Sequence, residues 1–403
     1  MTISGVIEGF YGPPWTHDDR LAWIDRLCTW GMTHYVWAAK QEPRHRDDWA
    51  APFTDDELVG FGELARRRPE VTLAVGLSPG VDASVDAVET KLRPAVDAGA
   101  GVVVVSADDL PALDAATTHR TLANELLARL QVPVWIVPTH YCGAEPSPYL
   151  DALCRDLDPS VHVMWTGDRV VNDAIGAAAA ARRAAVTGRP PLLWDNTPVN
   201  DAVMRDALHL GPLGGRDPAL RDVCAGVLWN PMEFARASIA TLTSAAGWWR
   251  GEDPDDVWTA EVRRRGWWHL AVATSFVGDP HWPGAMADDP TWWHEMLAGL
   301  PGEASEVGLD PAVQPWIDAA REGATIGRDA AVLTGASASP VRVLGLAARW
   351  RSWRRRDVLT FGAGPRIRPD ATQDGHGRFV VGPGAIVEAE SLVDRAVRRV
   401  LPS

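Results

Sequence analysis

The sequence of 403 residues is poor in cysteine and contains no cysteine pattern typical of a metal site or a disulfide framework. Its 4 cysteines, Cys28, Cys142, Cys154 and Cys224, are widely separated and form no CxxC pair. Disulfides are rare in the cytosol, where thiols are kept reduced. We therefore expect four free cysteines and a cytoplasmic protein.

Positive charge and long apolar runs are also scarce. The 39 lysines and arginines are outnumbered by 53 aspartates and glutamates, which gives a formal net charge of −14. The chain has no net positive field that would recruit nucleic-acid phosphates. It also contains no run of about 18 apolar residues, the length needed to cross a bilayer. No cationic and apolar leader precedes the first apolar run near Met1. We expect a soluble protein that binds neither nucleic acid nor membrane.

Several common enzyme motifs are absent or stand in the wrong context. Gly60-Phe-Gly62 begins like a dinucleotide-binding loop but lies inside a predicted helix, where the motif has no function. His294-Glu295 lacks the second histidine of a zinc-binding helix. Neither a GxSxG elbow nor a phosphate-binding loop occurs. These motifs therefore give no support to a metal-dependent or nucleotide-dependent enzyme, and we expect neither a metal nor a cofactor.

Apolar runs that read as buried strands alternate with stretches of helical spacing over the first 250 residues. Thr16 is a predicted helix cap, and Thr54 with Glu57 forms the pattern of a capping box. This alternation predicts a (β/α)8 TIM barrel over residues 1–250. The eight predicted strands are Ile3–Ile7, Tyr35–Ala39, Val71–Leu77, Val102–Val105, Val132–Val137, Val161–Trp165, Leu192–Trp194 and Val227–Trp229.

Beyond residue 250 the pattern predicts a second, smaller domain, 251–403, that is mainly α-helical and of unknown role. We interpret 360–384 as a loop and 386–400 as the last helix. The tryptophan pairs of this half are more simply core or helix-packing residues than sugar platforms, and the basic run 349–356 is more simply a solvated helix face than a ligand site. The tryptophan-rich helices could also pair two copies, so a homodimer stays open.

Asp108 and Asp109 follow the run of four valines at 102–105 and are the chain's most distinctive chemical feature. In a TIM barrel, catalytic residues lie at the carboxyl ends of the strands. An acidic pair before Leu110-Pro111 can equally be a turn or a helix cap. Neighbouring residues on an ideal strand point to opposite faces, so a joint role requires the backbone to turn after Ala107.

Short polar and glycine-containing motifs accompany the predicted strands along the barrel. They are Gly5–Trp15, Tyr35–Lys40 with His45-Arg46, Asp108-Asp109, Pro138–Gly143, Trp165–Gly167, Trp194–Asn196 with Asn200-Asp201, Gly211–Arg216 and Leu228–Pro231. Taken together, these segments resemble glycoside hydrolase family 84, the O-GlcNAcase family of β-N-acetylglucosaminidases. The resemblance covers the predicted barrel and keeps the family's order from residue 5 to residue 231.

The chain also departs from the family pattern. Ala107 stands where a bulky residue is common, and Pro111 stands where an acid is common. His140 replaces a usual glutamate, and Gln41-Glu42 replaces a more acidic stretch. These departures put the pKa tuning and the leaving-group preference in doubt more than the reaction type.

The resemblance implies substrate-assisted catalysis, in which the 2-acetamido oxygen of the sugar replaces a carboxylate nucleophile and forms an oxazoline. Asp108 would then polarise the amide N–H, and Asp109 would act as general acid and base. Two close carboxylates raise the pKa of one of them, which would keep Asp109 protonated. The implied substrate-binding residues are Gly9, Lys40, Asp201 and Asn230 for hydroxyl groups, Asn196 beside the acetamido group or Asp108, and Tyr141, Thr166 and Trp194 around the acetamido methyl.

The resulting hypothesis is a retaining exo-β-N-acetylglucosaminidase acting on a cytoplasmic glycoconjugate. The glycoconjugate could be an O-GlcNAc protein, a recycled cell-wall fragment or an N-acetylglucosaminylated metabolite. Two alternatives stay open: a sugar-binding homologue with little turnover, motivated by Ala107 and Pro111, and a β-N-acetylhexosaminidase with galacto preference. The second depends on how Asp201 and Asn230 meet the 4-hydroxyl group.

Overall fold

The computed structural model of the protein describes residues 3–80, 83–108, 115–286, 288–334 and 339–401. Asp109 and Pro111, which the sequence analysis singles out, lie outside these ranges.

Eight parallel strands close into a barrel in which each strand pairs with its neighbours in sequence and β1 pairs with β8. All eight predicted strands are confirmed, with ends that differ by at most two residues. The bounds are β1 Ile3–Glu8, β2 His34–Trp37, β3 Thr72–Leu77, β4 Val102–Ser106, β5 Val134–Val137, β6 His162–Trp165, β7 Leu192–Asp195 and β8 Gly226–Trp229.

Helices follow the strands and surround the barrel, so the predicted (β/α)8 fold is confirmed. The Thr16 hydroxyl caps α1, and the Thr54–Glu57 capping box opens α2, both as predicted. Gly60 and Gly62 lie within α2 and not in a nucleotide-binding loop. The helices are α1 His17–Trp30, α2 Asp55–Arg67, α3 Val85–Asp97, α4 Ala116–Leu130, α5 Pro148–Cys154, α6 Ala177–Thr187, α7 Leu220–Val223 and α8 Ile239–Arg250.

The apolar core consists of two main clusters, one inside the barrel and one in its outer layer. The inner cluster includes Ile7, Val36, Val104 and Leu228, and the larger outer cluster includes their sequence neighbours such as Val6 and Val103. Successive strand residues point to opposite faces, which is why buried strands covered by helices are apolar throughout.

The chain after α8 is mainly helical, as predicted. Its helices are α9 Pro254–Arg264, α10 Trp268–Ala273, α11 Pro290–Gly299, α12 Gln314–Thr334, α13 Pro340–Trp353 and α14 Leu392–Arg398. Trp267 and Trp293 are fully buried, in agreement with a packing role. Arg349, Arg354 and Arg356 of the basic run pair with carboxylates. Within the described ranges, no helix is long and apolar enough to cross a membrane.

The expected loop at 360–384 is wrong in part, because this stretch contains short strands. β10 Ala371–Gln373 pairs with β11 Phe379–Val381, and β9 Arg366–Ile367 pairs with β12 Ile386–Val387. The last helix begins at Leu392 and not at Ile386. Strands of two or three residues, several of them exposed, carry too little alternation to be recognised from sequence.

Candidate active site

A cavity of about 180 Å³ opens at the carboxyl ends of the barrel strands. Asp108 lines it together with every substrate-binding residue implied by the family resemblance. These residues are Gly9, Lys40, Tyr141, Thr166, Trp194, Asn196, Asp201 and Asn230. The carboxyl ends of parallel strands meet at one rim of a barrel, so residues that are far apart in sequence share one cavity. Asp109 follows Asp108 directly but lies outside the described residues.

Lys40 and Asp108 form a buried ion pair on one side of the cavity. Lys40 Nζ donates to Asp108 Oδ2 at 2.6 Å, and the two side chains are 3% and 10% exposed. Burial acts to raise the pKa of Asp108, but the charge and hydrogen bond of Lys40 outweigh it and hold the pKa below the ordinary value of 3.8. Asp108 is therefore ionised at neutral pH. Its Oδ1 is buried and has no hydrogen-bond partner among the described residues.

The indole of Trp194 forms a wall of the cavity and fits closely against Gly9. A Cβ atom on Gly9 would lie 2.2 Å from Trp194 Cζ2, so only glycine fits there without displacing the indole. Lys40 Nζ lies 5.6 Å from the Trp194 ring centroid, within the range of a cation–π contact. Trp194 thus orients the same ammonium group that holds Asp108.

A chain of hydrogen bonds joins the strand ends around the cavity. Trp194 Nε1 and Asn230 Nδ2 both donate to Asn196 Oδ1, each at 2.9 Å. Asn196 Nδ2 donates to the carbonyl of Val170 at 2.8 Å, and Asn230 Oδ1 accepts from the N–H of Gly9 at 3.2 Å. Both polar atoms of Asn196 are therefore engaged by protein, which assigns it to bracing Trp194 and Asn230 in this state.

Asp201 lies in the loop after β7, on the cavity wall. Its Oδ2 accepts a hydrogen bond of 2.6 Å from the N–H of Tyr11. Burial raises the pKa of Asp201 above 3.8, with only partial compensation from that hydrogen bond. A half-buried carboxylate acceptor on the cavity wall suits the recognition of a sugar hydroxyl.

Two buried ion pairs stiffen the strand ends below the cavity. Glu8 accepts from Arg20 Nε and Nη2 at 2.9 and 2.8 Å, and it also accepts from Tyr35 Oη. Arg216 binds Asp195 through two nitrogens at 2.7 and 2.8 Å. Bidentate arginine–carboxylate pairs fix geometry as well as charge, so the backbone that presents Gly9 and Asn196 is held in place.

His140 lies behind the cavity. Its Nδ1 is 2.7 Å from Ser147 Oγ, and its ring packs against Tyr149 with centroids 4.6 Å apart. Burial lowers the pKa of His140 to about 4, so the imidazole is neutral at pH 7. His140 therefore carries no charge at neutral pH and does not line the cavity. Ala107 is buried, and its carbonyl accepts from Thr139 Oγ1 at 2.8 Å.

Several cavity residues were missed by the sequence analysis. Tyr11, Val137, Val170, Met204 and Pro369 also line the cavity. Tyr11 lies within Gly5–Trp15, so the family resemblance offered a signal for it. Pro369 lies far along the chain and belongs to no motif. Among the described residues, no group of three or more His, Cys, Asp or Glu side chains is placed to hold a metal ion.

A closed (β/α)8 barrel with an ion-paired carboxylate and converging amide groups at its carboxyl face has the architecture of a TIM-barrel enzyme with its active site in the usual place. The sequence profile of the beta-N-acetylglucosaminidase family, NAGidase, matches residues 4–268. The chain belongs to this family, which is the O-GlcNAcase family of glycoside hydrolases.

Known proteins of this family resemble the chain in sequence and in fold. The protein O-GlcNAcases of Rattus norvegicus and Mus musculus are each 30% identical to it in an alignment over 274 residues that covers 62% of this chain. The match spans only 30% of the length of these relatives. An O-GlcNAc hydrolase mutant from Thermobaculum terrenum superimposes with a TM-score of 0.79 at 21% identity, over 99% of this chain and 94% of its own. The structure of CpGH84B superimposes with the same TM-score at 20% identity, over 99% and 77% of the two chains.

Proposed function

We propose that the protein is a retaining, exo-acting β-N-acetylglucosaminidase that works by substrate-assisted catalysis through an oxazoline intermediate. The observation that carries the proposal is Asp108, a buried carboxylate that Lys40 keeps ionised and whose Oδ1 is left without a partner among the described residues. A buried carboxylate oxygen without a donor is costly. The N–H of a bound 2-acetamido group would supply that donor.

In the first step of the proposed reaction, the acetamido carbonyl oxygen bonds to the anomeric carbon as the bond to the leaving oxygen breaks. Asp109 gives its proton to the leaving oxygen, and Asp108 accepts the hydrogen bond of the amide N–H as positive charge develops on the ring formed. In the second step, Asp109 takes a proton from water, which attacks the anomeric carbon and regenerates the amide. Each step inverts the configuration of the anomeric carbon, so the two steps together retain it.

The small volume of the cavity supports exo action on a single terminal sugar. Gly9, Lys40, Asp201 and Asn230 would bind its hydroxyl groups, and Tyr141, Thr166 and Trp194 would enclose the acetamido methyl. The engaged amide of Asn196 supports a bracing role, with Asn230 as the neighbour that it orients. No step in this scheme requires a metal or a cofactor.

The test is hydrolysis of 4-nitrophenyl β-N-acetylglucosaminide, its galacto isomer and the plain β-glucoside by the purified protein. We expect cleavage of the N-acetylglucosaminide and none of the glucoside, because the glucoside lacks the internal nucleophile. Cleavage of the glucoside at a similar rate would contradict neighbouring-group participation. Absence of cleavage of either N-acetylated sugar by folded protein would favour the alternative of a sugar-binding homologue.

Variants of the carboxylate pair separate the two roles. Asp108→Asn should slow thioglycoside and aryl glycoside cleavage alike, because the amide nucleophile loses its polarising carboxylate. Asp109→Asn should spare substrates whose leaving group needs no proton. An equal loss on every substrate from Asp109→Asn would be inconsistent with its role as general acid.

We further propose that the substrate is a cytoplasmic glycoconjugate, for which an O-GlcNAc protein, a cell-wall fragment and an N-acetylglucosaminylated metabolite are the candidates. All four cysteines are free, which supports a reducing compartment. Localisation of the tagged protein by fractionation tests this proposal. Recovery from an oxidising compartment would contradict it.

A further inference from the structure

The segment 366–387 from the C-terminal part of the chain lies against the mouth of the sugar cavity. Pro369 lines the cavity itself. The carbonyl of Ala371 accepts from the N–H of Val170 at 2.7 Å, and the side chain of Gln373 bonds to Cys142 N at 3.1 Å and Thr139 O at 2.9 Å. The β10–β11 hairpin is therefore fastened to the loops that follow β5 and β6.

Phe379 of this hairpin continues the apolar wall of the cavity outward. It lies directly opposite Gln373 in the hairpin, so both side chains share the face that meets the barrel loops. The Phe379 ring centroid is 6.0 Å from that of Tyr141, which lines the cavity. Phe379 is nevertheless 49% exposed. An aromatic ring that touches the cavity wall and still faces solvent is suited to contact a ligand that extends out of the cavity.

Most charged side chains of the segment already form ion pairs, which bears on the kind of ligand that fits. Asp370 pairs with Arg169, and Asp374 pairs with Arg378. Val381, on the same face of the hairpin as Phe379, adds further exposed apolar surface at 70%. The surface beside the cavity thus offers aromatic and aliphatic area next to charged groups that are mostly paired, which favours an apolar group over an anionic one.

We infer that Phe379 is a specificity-determining residue that stacks on an apolar aglycone attached to the sugar in the cavity. The inference rests on the proposed function and deepens it. Since the cavity accommodates one sugar, the rest of the substrate must leave through its mouth, where Phe379 continues the wall formed by Tyr141. The occupant of this surface is the aglycone of the same substrate molecule and not a separate partner.

The test compares two N-acetylglucosaminides, one with a flat apolar 4-methylumbelliferyl aglycone and one with a small 2,2,2-trifluoroethyl aglycone. For Phe379→Ala we expect about a tenfold loss of kcat/KM on the first substrate, mainly through KM, and a change below twofold on the second. Phe379→Tyr keeps the ring and should retain at least half of the activity on both. Inhibition by free N-acetylglucosamine should be unchanged in both variants, because the sugar cavity is untouched.

Val380→Ala is the matched control, since Val380 is equally exposed and lies next to Phe379 on the opposite face of the hairpin. It should change kcat/KM on neither substrate by more than twofold. Equal losses on both substrates from Phe379→Ala, or no loss on either, would overturn the inference and leave the proposed function standing. If the unmodified protein cleaves neither substrate, the proposed function fails, and the inference fails with it.

Discussion

At the scale of single residues, Asp108 shows how the chain keeps a carboxylate ionised inside a protein. Burial disfavours the charged form, and one ammonium group at 2.6 Å reverses that effect. The ammonium also lies 5.6 Å from the ring centroid of Trp194, within the range of a cation–π contact. The reactivity proposed for Asp108 is therefore a property of three side chains from three different strands or strand ends.

Lys40→Met should move the acid limb of the pH profile of kcat/KM to higher pH. With Lys40 present, the pKa of Asp108 lies below 3.8, so the ionised form persists until the pH falls through that lowered pKa. Without Lys40, burial dominates and raises the pKa, so protonation and loss of activity begin at higher pH. A pH profile on an aryl N-acetylglucosaminide measures the shift. Lys91→Met is the control, because Lys91 is the other lysine of the chain and lies on α3. It should leave the acid limb of the profile in place.

Gly9→Ala should impair the cavity by displacing Trp194. The added methyl would lie 2.2 Å from Trp194 Cζ2, so the indole or the β1 end must move. Forced overpacking of this kind costs about 1–3 kcal/mol, and we expect KM to rise at least tenfold. Kinetics together with urea unfolding measure both effects. Gly345→Ala in α13, where a Cβ meets nothing within 4 Å, should be neutral or slightly stabilising. Normal KM in Gly9→Ala would contradict the tight fit.

At the scale of elements, the regular parts of the barrel follow from local sequence. Runs such as 102–105 are long enough, apolar enough and β-branched enough to indicate strands, and caps such as Thr54 mark helix starts. The β10–β11 hairpin differs from these regular elements, because it is held by contacts with residues that are distant in sequence. Gln373 bonds to Cys142 across 231 residues of sequence, which no local pattern encodes.

Gln373→Ala should loosen the hairpin from the barrel. It removes the partners of Cys142 N and Thr139 O, and an unpaired buried polar group costs about 1–3 kcal/mol. We expect lower unfolding free energy and faster amide exchange across 366–387. Gln373→Glu keeps an acceptor for Cys142 N but places a buried carboxylate oxygen against Thr139 O, so its effect should be at least as large as that of Gln373→Ala. Unchanged exchange in Gln373→Ala would show that other contacts hold the hairpin.

At the scale of the whole molecule, the barrel and the helices after it share one apolar core. The larger cluster runs from Val6 and Ile24 in the barrel layer to Ile317 and Val397 near the end of the chain. Trp316 Nε1 donates to the carbonyl of Asp206 at 3.1 Å, which adds a polar link between the two parts. The predicted boundary at residue 250 coincides with the end of α8, but the packing continues across it.

This shared core predicts a single cooperative unfolding transition for the full chain. A continuous buried cluster couples the stability of its parts, as expected for two-state behaviour. Urea unfolding followed by tryptophan fluorescence and by far-ultraviolet circular dichroism should give coincident curves. Two separated transitions would mean that residues 1–250 and 251–403 fold independently.

The amino-acid sequence by itself determined the barrel and its strand order, and the resemblance of its strand-end motifs to a known family implied many of the residues that line the cavity. Those features depend on local apolar periodicity and on short motifs at strand ends, which parallel strands bring to one rim whatever the loops do. Only the tertiary structure decided which of these groups pair. Examples are Lys40 with Asp108, Asn196 with Trp194 and Asn230, and the 366–387 segment with the cavity mouth. Pairing depends on distances of a few ångströms between residues distant in sequence, and only the packing of the whole chain sets those distances.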